Sequence, residues 1–158
     1  MTGGKHVHGF TLIELVVTIS VIAILAAVAL PRYITLQQQA RGAKAQALFG
    51  GFRSAAALAH AQAIATNTTA SGTATIQMES QNVTLINGYP TADLAGIQTA
   101  LQISNATEGV VIVPGGAGAN ATMTVDINGG VAPTCRVSYT SPAAGNGSPV
   151  FAIDTSGC

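Results

Sequence analysis

The strongest pattern in the chain is an apolar run near its start. Residues 15–30 carry no charge, and with Phe10-Thr11-Leu12-Ile13-Glu14 in front the segment covers residues 10–30. As a helix it is about 31 Å long at 1.5 Å per residue, the hydrocarbon thickness of a bilayer. Pro31 closes it. Helical signal resumes at Tyr33 and continues, rich in Ala, Gln and Leu, to about Ala65. A proline inside a helix removes one backbone hydrogen bond and crowds the preceding turn. Pro31 therefore marks a kink or melting point in one long helix, or a break between two. If continuous, residues 10–65 span about 84 Å. A head of this mass cannot bury that length, so part of it is covered by lipid or by other copies.

From residue 45 the helix has a readable face. At 100° per residue, Ala45, Leu48, Phe49, Phe52, Ala55, Ala56, Ala59 and Ala63 fall on one stripe, where the head should pack. Ala43, Gly50, Ser54, Ala57 and Ala61 fall on the other side. Their small size permits close approach of another helix, and Ala-rich helix propensity explains them equally well.

After residue 65 the period changes. Residues 66–72 form a Thr/Asn/Ser/Gly cluster, hence a loop. Residues 73–78 and 82–86 read as strands joined by a polar turn. Gly88-Tyr89-Pro90 punctuates. Residues 91–103 read as a short helix with Thr91 at the N-cap and Asp93 in the first turn. Residues 109–113 are an apolar run of buried-strand type, and residues 114–118 a loop. Residues 122–127 alternate, with Asn128-Gly129 as a hairpin signal. Residues 134–139 and 150–153 complete the strands. The fold class expected is α+β: a long N-terminal helix, half of it transmembrane and half packed on a C-terminal antiparallel β-sheet head.

Charge is sparse. The 158 residues include 6 Lys or Arg and 6 Asp or Glu, a charged fraction of 8%. That excludes a nucleic-acid reader built on a dense basic patch. The hydrophobic fraction of 48% excludes a disordered chain. The few charges are unevenly placed. No acidic residue lies between Glu14 and Glu79, whereas Arg32, Arg41, Lys44 and Arg53 all do. Beyond residue 78 the chain carries Glu79, Asp93, Glu108, Asp126 and Asp154 against Arg136 alone. Heads of one copy and helices of another are complementary in charge, although such an asymmetry is also compatible with simple solvation.

Glu14 is the one ionisable group in the apolar segment. A carboxylate there costs about 2.5–3.5 kcal/mol on insertion scales. It needs a partner, a proton, or a position shallow enough to snorkel to the interface. A secretory signal peptide cut near Ala26-Ala27-Val28-Ala29 should not hold a carboxylate, and its apolar region would be shorter. Cleavage before the segment, between Gly9 and Phe10, keeps the helix and frees the Phe10 amine one turn from Glu14.

Gly9-Phe10-Thr11-Leu12-Ile13-Glu14, behind a leader with Lys5, His6 and His8 and ahead of an apolar helix and Pro31, resembles the type IV prepilin family. The resemblance is strong from Lys5 to about Ala65 and covers only the layout beyond. Within the type IVa pilins, Gly88-Tyr89-Pro90 followed by Ala95-Gly96-Ile97 and Ala100-Leu101 looks most like the mannose-sensitive haemagglutinin major pilins. The resemblance implies a leader of residues 1–9, a transmembrane and filament-core helix of residues 10–30, an amphipathic continuation of residues 31–65, and a β-rich head of residues 66–158. It implies a prepilin peptidase that cuts at Gly9, N-methylation of Phe10, and an inner-membrane precursor. The pilus assembly machinery then draws the subunit into an extracellular homopolymer. In that picture Phe10, Glu14 and Pro31 serve assembly, with Glu14 of an incoming copy neutralising the Phe10 amine of its neighbour. Surface attachment, motility and uptake are the functions such fibres support. Other readings are a type II secretion pseudopilin, whose major forms lack this cysteine pair, and a monomeric membrane-anchored binding protein.

Cys135 and Cys158 are the only cysteines. The resemblance implies an oxidising compartment and a C-terminal cystine loop on the fibre surface. Two free thiols, one of them a buried small hydrophobe, are the other possibility.

Enzymatic readings find no support, and no cofactor or metal is expected. Pro114-Gly115-Gly116-Ala117-Gly118 lacks the Lys-Ser/Thr of a phosphate-binding loop. His60, the only histidine beyond the leader, reads as an exposed helix residue with no metal-ligand spacing around it. Asp126 with Asn128, and Asp154, have the chemistry for calcium but not the EF-hand spacing. Five Asn-x-Ser/Thr patterns, at Asn67, Asn82, Asn105, Asn120 and Asn146, reflect an Asn/Thr-rich composition or sites of glycosylation.

Overall fold

The computed structural model describes residues 10–68, 71–104 and 109–158. The leader with Gly9, Glu108 and the Asn105-Ala106-Thr107 pattern lie outside the described residues, as does Thr69 of the Asn67 pattern. The chain divides into two compact units, one up to Gln37 and one from Gln38 to Cys158. The fold class is α+β.

Helix α1 runs over Leu12–Ala65 and continues through Pro31 without a break. Thr18, Ser20 and Thr35 return their hydroxyls to the carbonyls of Leu15, Val16 and Pro31 at 2.8, 2.7 and 3.1 Å. The polar side chains of the apolar stretch are thus satisfied by the helix itself, as an environment without water requires. The large apolar side chains from Phe10 to Leu30 are all exposed.

Among the described residues of the second unit, seven strands form two antiparallel sheets rather than one. The first is β1 (Thr73–Met78), β2 (Gln81–Ile86) and β3 (Tyr89–Pro90); the second is β4 (Val110–Val113), β5 (Thr122–Ile127), β6 (Arg136–Thr140) and β7 (Val150–Asp154), each in chain order. The stripe on α1 serves both. Ala45, Phe52, Ala55 and Ala56 pack with Met123, Val125, Val137 and Tyr139 of the four-stranded sheet. Ala59 and Ala63 pack with Ile76, Val83 and Leu85 of the three-stranded one. Leu48 and Phe49 of the stripe are partly buried against the first cluster. Small alanines let the helix lie close to the pleated surface, and Phe52 stacks on Tyr139 at 6.2 Å between centroids.

Four expectations are corrected. Gly88-Tyr89-Pro90 does more than punctuate: Asn87 and Gly88, both at positive φ, make a two-residue turn that returns the chain as β3, with Ile86 opposite Tyr89. Asn128-Gly129, in contrast, opens a longer connection, since β6 starts only at Arg136 and Cys135 precedes it. The helix expected over residues 91–103 shrinks to a distorted π-type turn, Leu94–Gln98, and a single turn α2, Thr99–Leu101. Its cap is Asp93, whose carboxylate accepts from the Gly96 N–H at 2.9 Å and from the Thr91 hydroxyl at 2.7 Å. Thr91 is fully buried instead of capping. Finally, β4 is no buried strand: Val110 and Ile112 face the core while Val111 and Val113 are about half exposed, at 50% and 51%.

Candidate functional site

Two places concentrate the residues singled out in the sequence. The first is the start of α1. Thr11-Leu12-Ile13-Glu14 closes as a capping box, in which each residue satisfies a donor of the other. Glu14 Oε2 accepts from the Thr11 backbone N–H at 2.9 Å and from the Thr11 hydroxyl at 2.6 Å, and the Glu14 N–H donates back to Thr11 Oγ1 at 3.3 Å. Phe10, Ile13, Glu14, Val17 and Thr18 line one shallow concavity of about 420 Å³. Phe10 and Glu14 therefore share a surface, and Pro31 lies farther along the helix. The cap was legible as Thr-x-x-Glu at the head of an apolar run.

The second is the C-terminal end of the chain. Cys135 and Cys158 are bonded at 2.03 Å, with Cα atoms 4.8 Å apart and both side chains buried. Backbone bonds flank the bridge, from the Val131 N–H to the Gly157 carbonyl at 3.0 Å and from the Gly157 N–H to the Thr134 carbonyl at 2.7 Å. Arg41 of α1 donates Nε–H to the Cys158 carbonyl, which ties the bridge to the helix. Gly130 is needed here, because a Cβ would come within 2.5 Å of Cys135 Cβ.

The remaining candidates have structural employment. Asp126 holds Arg136 through two bonds of 2.6 and 2.9 Å, which spends its carboxylate and raises the guanidinium further above its ordinary pKa. Asp154 lies opposite Arg136 on β7, but its carboxylate accepts from the Ser156 hydroxyl and N–H, and these bonds lower its pKa. No cluster of three or more metal-ligating side chains occurs among the described residues. His60 is not a plain exposed residue. Its ring stacks on Tyr89 at 4.1 Å with a 4° interplanar angle, and Nδ1 lies 2.8 Å from the Gly88 carbonyl. A carbonyl only accepts, so Nδ1 carries the proton. Sequence reasoning lacked any signal for this, since the partner lies 28 residues away.

Comparison with known proteins adds an independent line. The family described as the prokaryotic N-terminal methylation motif matches residues 4–30. The type IV narrow pilus major component PilA5 of Thermus thermophilus is 49% identical over 55 residues, which make up 35% of this chain and 47% of that protein. The match thus spans about half the length of the relative. No solved structure matches. Together the motif and the relative support the type IV pilin family.

Proposed function

We propose that the chain is the structural subunit of a type IV pilus filament and that it performs no catalysis. The observation that carries this reading is the start of α1. The large apolar side chains from Phe10 to Leu30, all of them exposed, need lipid or neighbouring copies to cover them, and Glu14 is the single carboxylate among them. The precursor is held in the inner membrane by this helix. A prepilin peptidase cuts between Gly9 and Phe10, and the new Phe10 amine is N-methylated. The assembly machinery then moves the subunit from lipid into a bundle of like helices. Both environments are apolar, so the transfer costs little hydrophobic energy. In the bundle, Glu14 of the incoming copy pairs with the Phe10 amine of a neighbour, an attraction strengthened by the low dielectric. The pair sets the axial register. We read the subtype as mannose-sensitive haemagglutinin-like, on the strength of Gly88-Tyr89-Pro90 and the Ala95-Gly96-Ile97 and Ala100-Leu101 residues that follow. The fibre it builds would serve surface attachment, motility or uptake.

Electron microscopy of material sheared from the cell surface, with intact mass of the same material, tests the reading. Thin filaments whose subunit begins at Phe10 are expected. A subunit that retains residues 1–9, one that begins near Val28, or a chain confined to the membrane as a monomer would overturn it.

A further inference from the structure

Arg53 is exposed and forms no ion pair among the described residues. It lies at the end of a groove of about 310 Å³, lined by His60 of α1, Tyr89 of β3, Ser148, Pro149 and Phe151 of β7. Apart from the Ser148 hydroxyl and the His60 ring nitrogens the walls are aromatic and aliphatic, and no carboxylate is among the described residues that line them. Its guanidinium stands 5.8 Å from the Phe49 ring centroid, a position that steadies it without neutralising it.

A complementary feature sits across the helix. The turn between β1 and β2 carries Glu79 and Ser80, both exposed, beside Leu58 and Gln62 of α1. Both turn residues have positive φ, 47° and 68°. A two-residue hairpin turn of this kind ordinarily takes Asn-Gly, because a Cβ at positive φ crowds the following carbonyl oxygen. Strain of this sort is retained where a side chain is needed in place. The Glu79 carboxylate accepts from Gln102 Nε2 at 2.6 Å and faces no cation among the described residues. At 100° per residue, Arg53 and His60 lie about 90° to one side of the buried row of α1, and Leu58 and Gln62 about 100° to the other. An anionic knob and a cationic groove thus occupy opposite flanks of one domain.

We infer that the Glu79–Ser80 turn of one copy seats in the Arg53–Phe151 groove of the next, with the Glu79 carboxylate on the Arg53 guanidinium. The inference rests on the filament reading and adds a head-to-head contact to it. Because the two surfaces differ, the contact is heterologous. A pair joined this way keeps one free groove on one copy and one free knob on the other, so the association propagates as a ring or helix instead of closing as a pair. The groove supplies apolar walls that exclude water from the ion pair, which strengthens it.

Charge exchange in the full chain tests the contact. R53E and E79R should each reduce the yield of sheared fibre about tenfold, since the swap sets like charges against each other at every subunit. Membrane-held subunit, measured by immunoblot, should be unchanged. The double variant R53E/E79R should restore fibre towards the wild-type yield, which a folding defect in either single variant would not allow. Wild-type yield from both single variants, or a double variant no better than the singles, would overturn the contact and leave the groove to another partner. A wild-type chain that makes no fibre would instead overturn the filament reading, and this contact with it.

Discussion

Glu14 and Thr11 hold one another at the head of α1, with the carboxylate taking the Thr11 N–H and hydroxyl while the Glu14 N–H returns to Thr11 Oγ1. The carboxylate proposed for subunit pairing therefore also has local work, and the two roles separate by mutation. Thr11→Ala removes the cap at a cost of about 1 kcal/mol to the first turn, and the subunit should still assemble. Glu14→Ala should leave membrane insertion intact or improved, because a costly carboxylate is gone, yet fibre should be lost or slow to form. Fibre yield against membrane-held subunit reads both. Wild-type fibre from Glu14→Ala would reduce Glu14 to a helix cap.

Removal of the bridge tests the C-terminal end. The cysteines are 23 positions apart, and chain entropy for a loop of that size is worth about 3 kcal/mol. The paired substitution Cys135→Ser and Cys158→Ser should lower the thermal midpoint of the detergent-solubilised chain by about 8–15 °C. Loss of the Val131–Gly157 and Thr134–Gly157 bonds should show as faster amide exchange. An unchanged midpoint would mean that Arg41 and β7 hold this end by themselves.

Tyr139 gives a pH signature. It is fully buried among Phe52 and Phe151, its hydroxyl donates to the Pro90 carbonyl at 2.6 Å, and burial pushes its pKa well above the ordinary value near 10. A raised folded-state pKa means that the unfolded chain releases its proton first. Stability from this group is complete below about pH 10 and falls as pH rises past that point, by up to ~1.4 kcal/mol per unit. Thermal unfolding between pH 8 and 11.5 should show the fall, and Tyr139→Phe should flatten it. The same variant leaves the Pro90 carbonyl without its donor, which should cost about 1–3 kcal/mol at neutral pH.

Gly96 should tolerate no side chain. A Cβ there would meet the Thr91 carbonyl oxygen and hydroxyl, each at 2.2 Å, and backbone cannot yield as a flexible side chain does. Gly96→Ala should destabilise the head by about 1–3 kcal/mol or more, read as a lower midpoint. An unshifted midpoint would show that the Leu94–Gln98 turn relaxes freely.

The elements legible in the sequence are those with enough length to show a period. Fifty-four residues of α1 and six of the seven strands announced themselves in that way. β3 did not, because two residues have no period, although its turn carried the Asn-Gly signal at Asn87-Gly88. The same signal at Asn128-Gly129 misled, since the chain there must also deliver Cys135 to Cys158. The short helix was misjudged because Thr91 and Asp93 are both good caps. Tertiary packing decided between them by burying Thr91 under Gly96. At the head of α1, the apolar run drew Glu14 into a membrane argument, and its cap with Thr11 was overlooked. The His60–Tyr89 stack and the Arg53 groove depend on long-range contacts that no local pattern records.

The cystine also bears on how the head meets proteases. The stretch it encloses exposes Ala143, Ala144, Asn146 and Ser148, an inviting site for a nick. A cut there leaves β6 on one fragment and β7 on the other, still paired from Arg136–Asp154 to Thr140–Val150 and joined covalently through Cys135 and Cys158. The nicked subunit would migrate as one species without reductant and as two with it. Damage in this exposed loop would thus remain a scar in the subunit and would not detach β7.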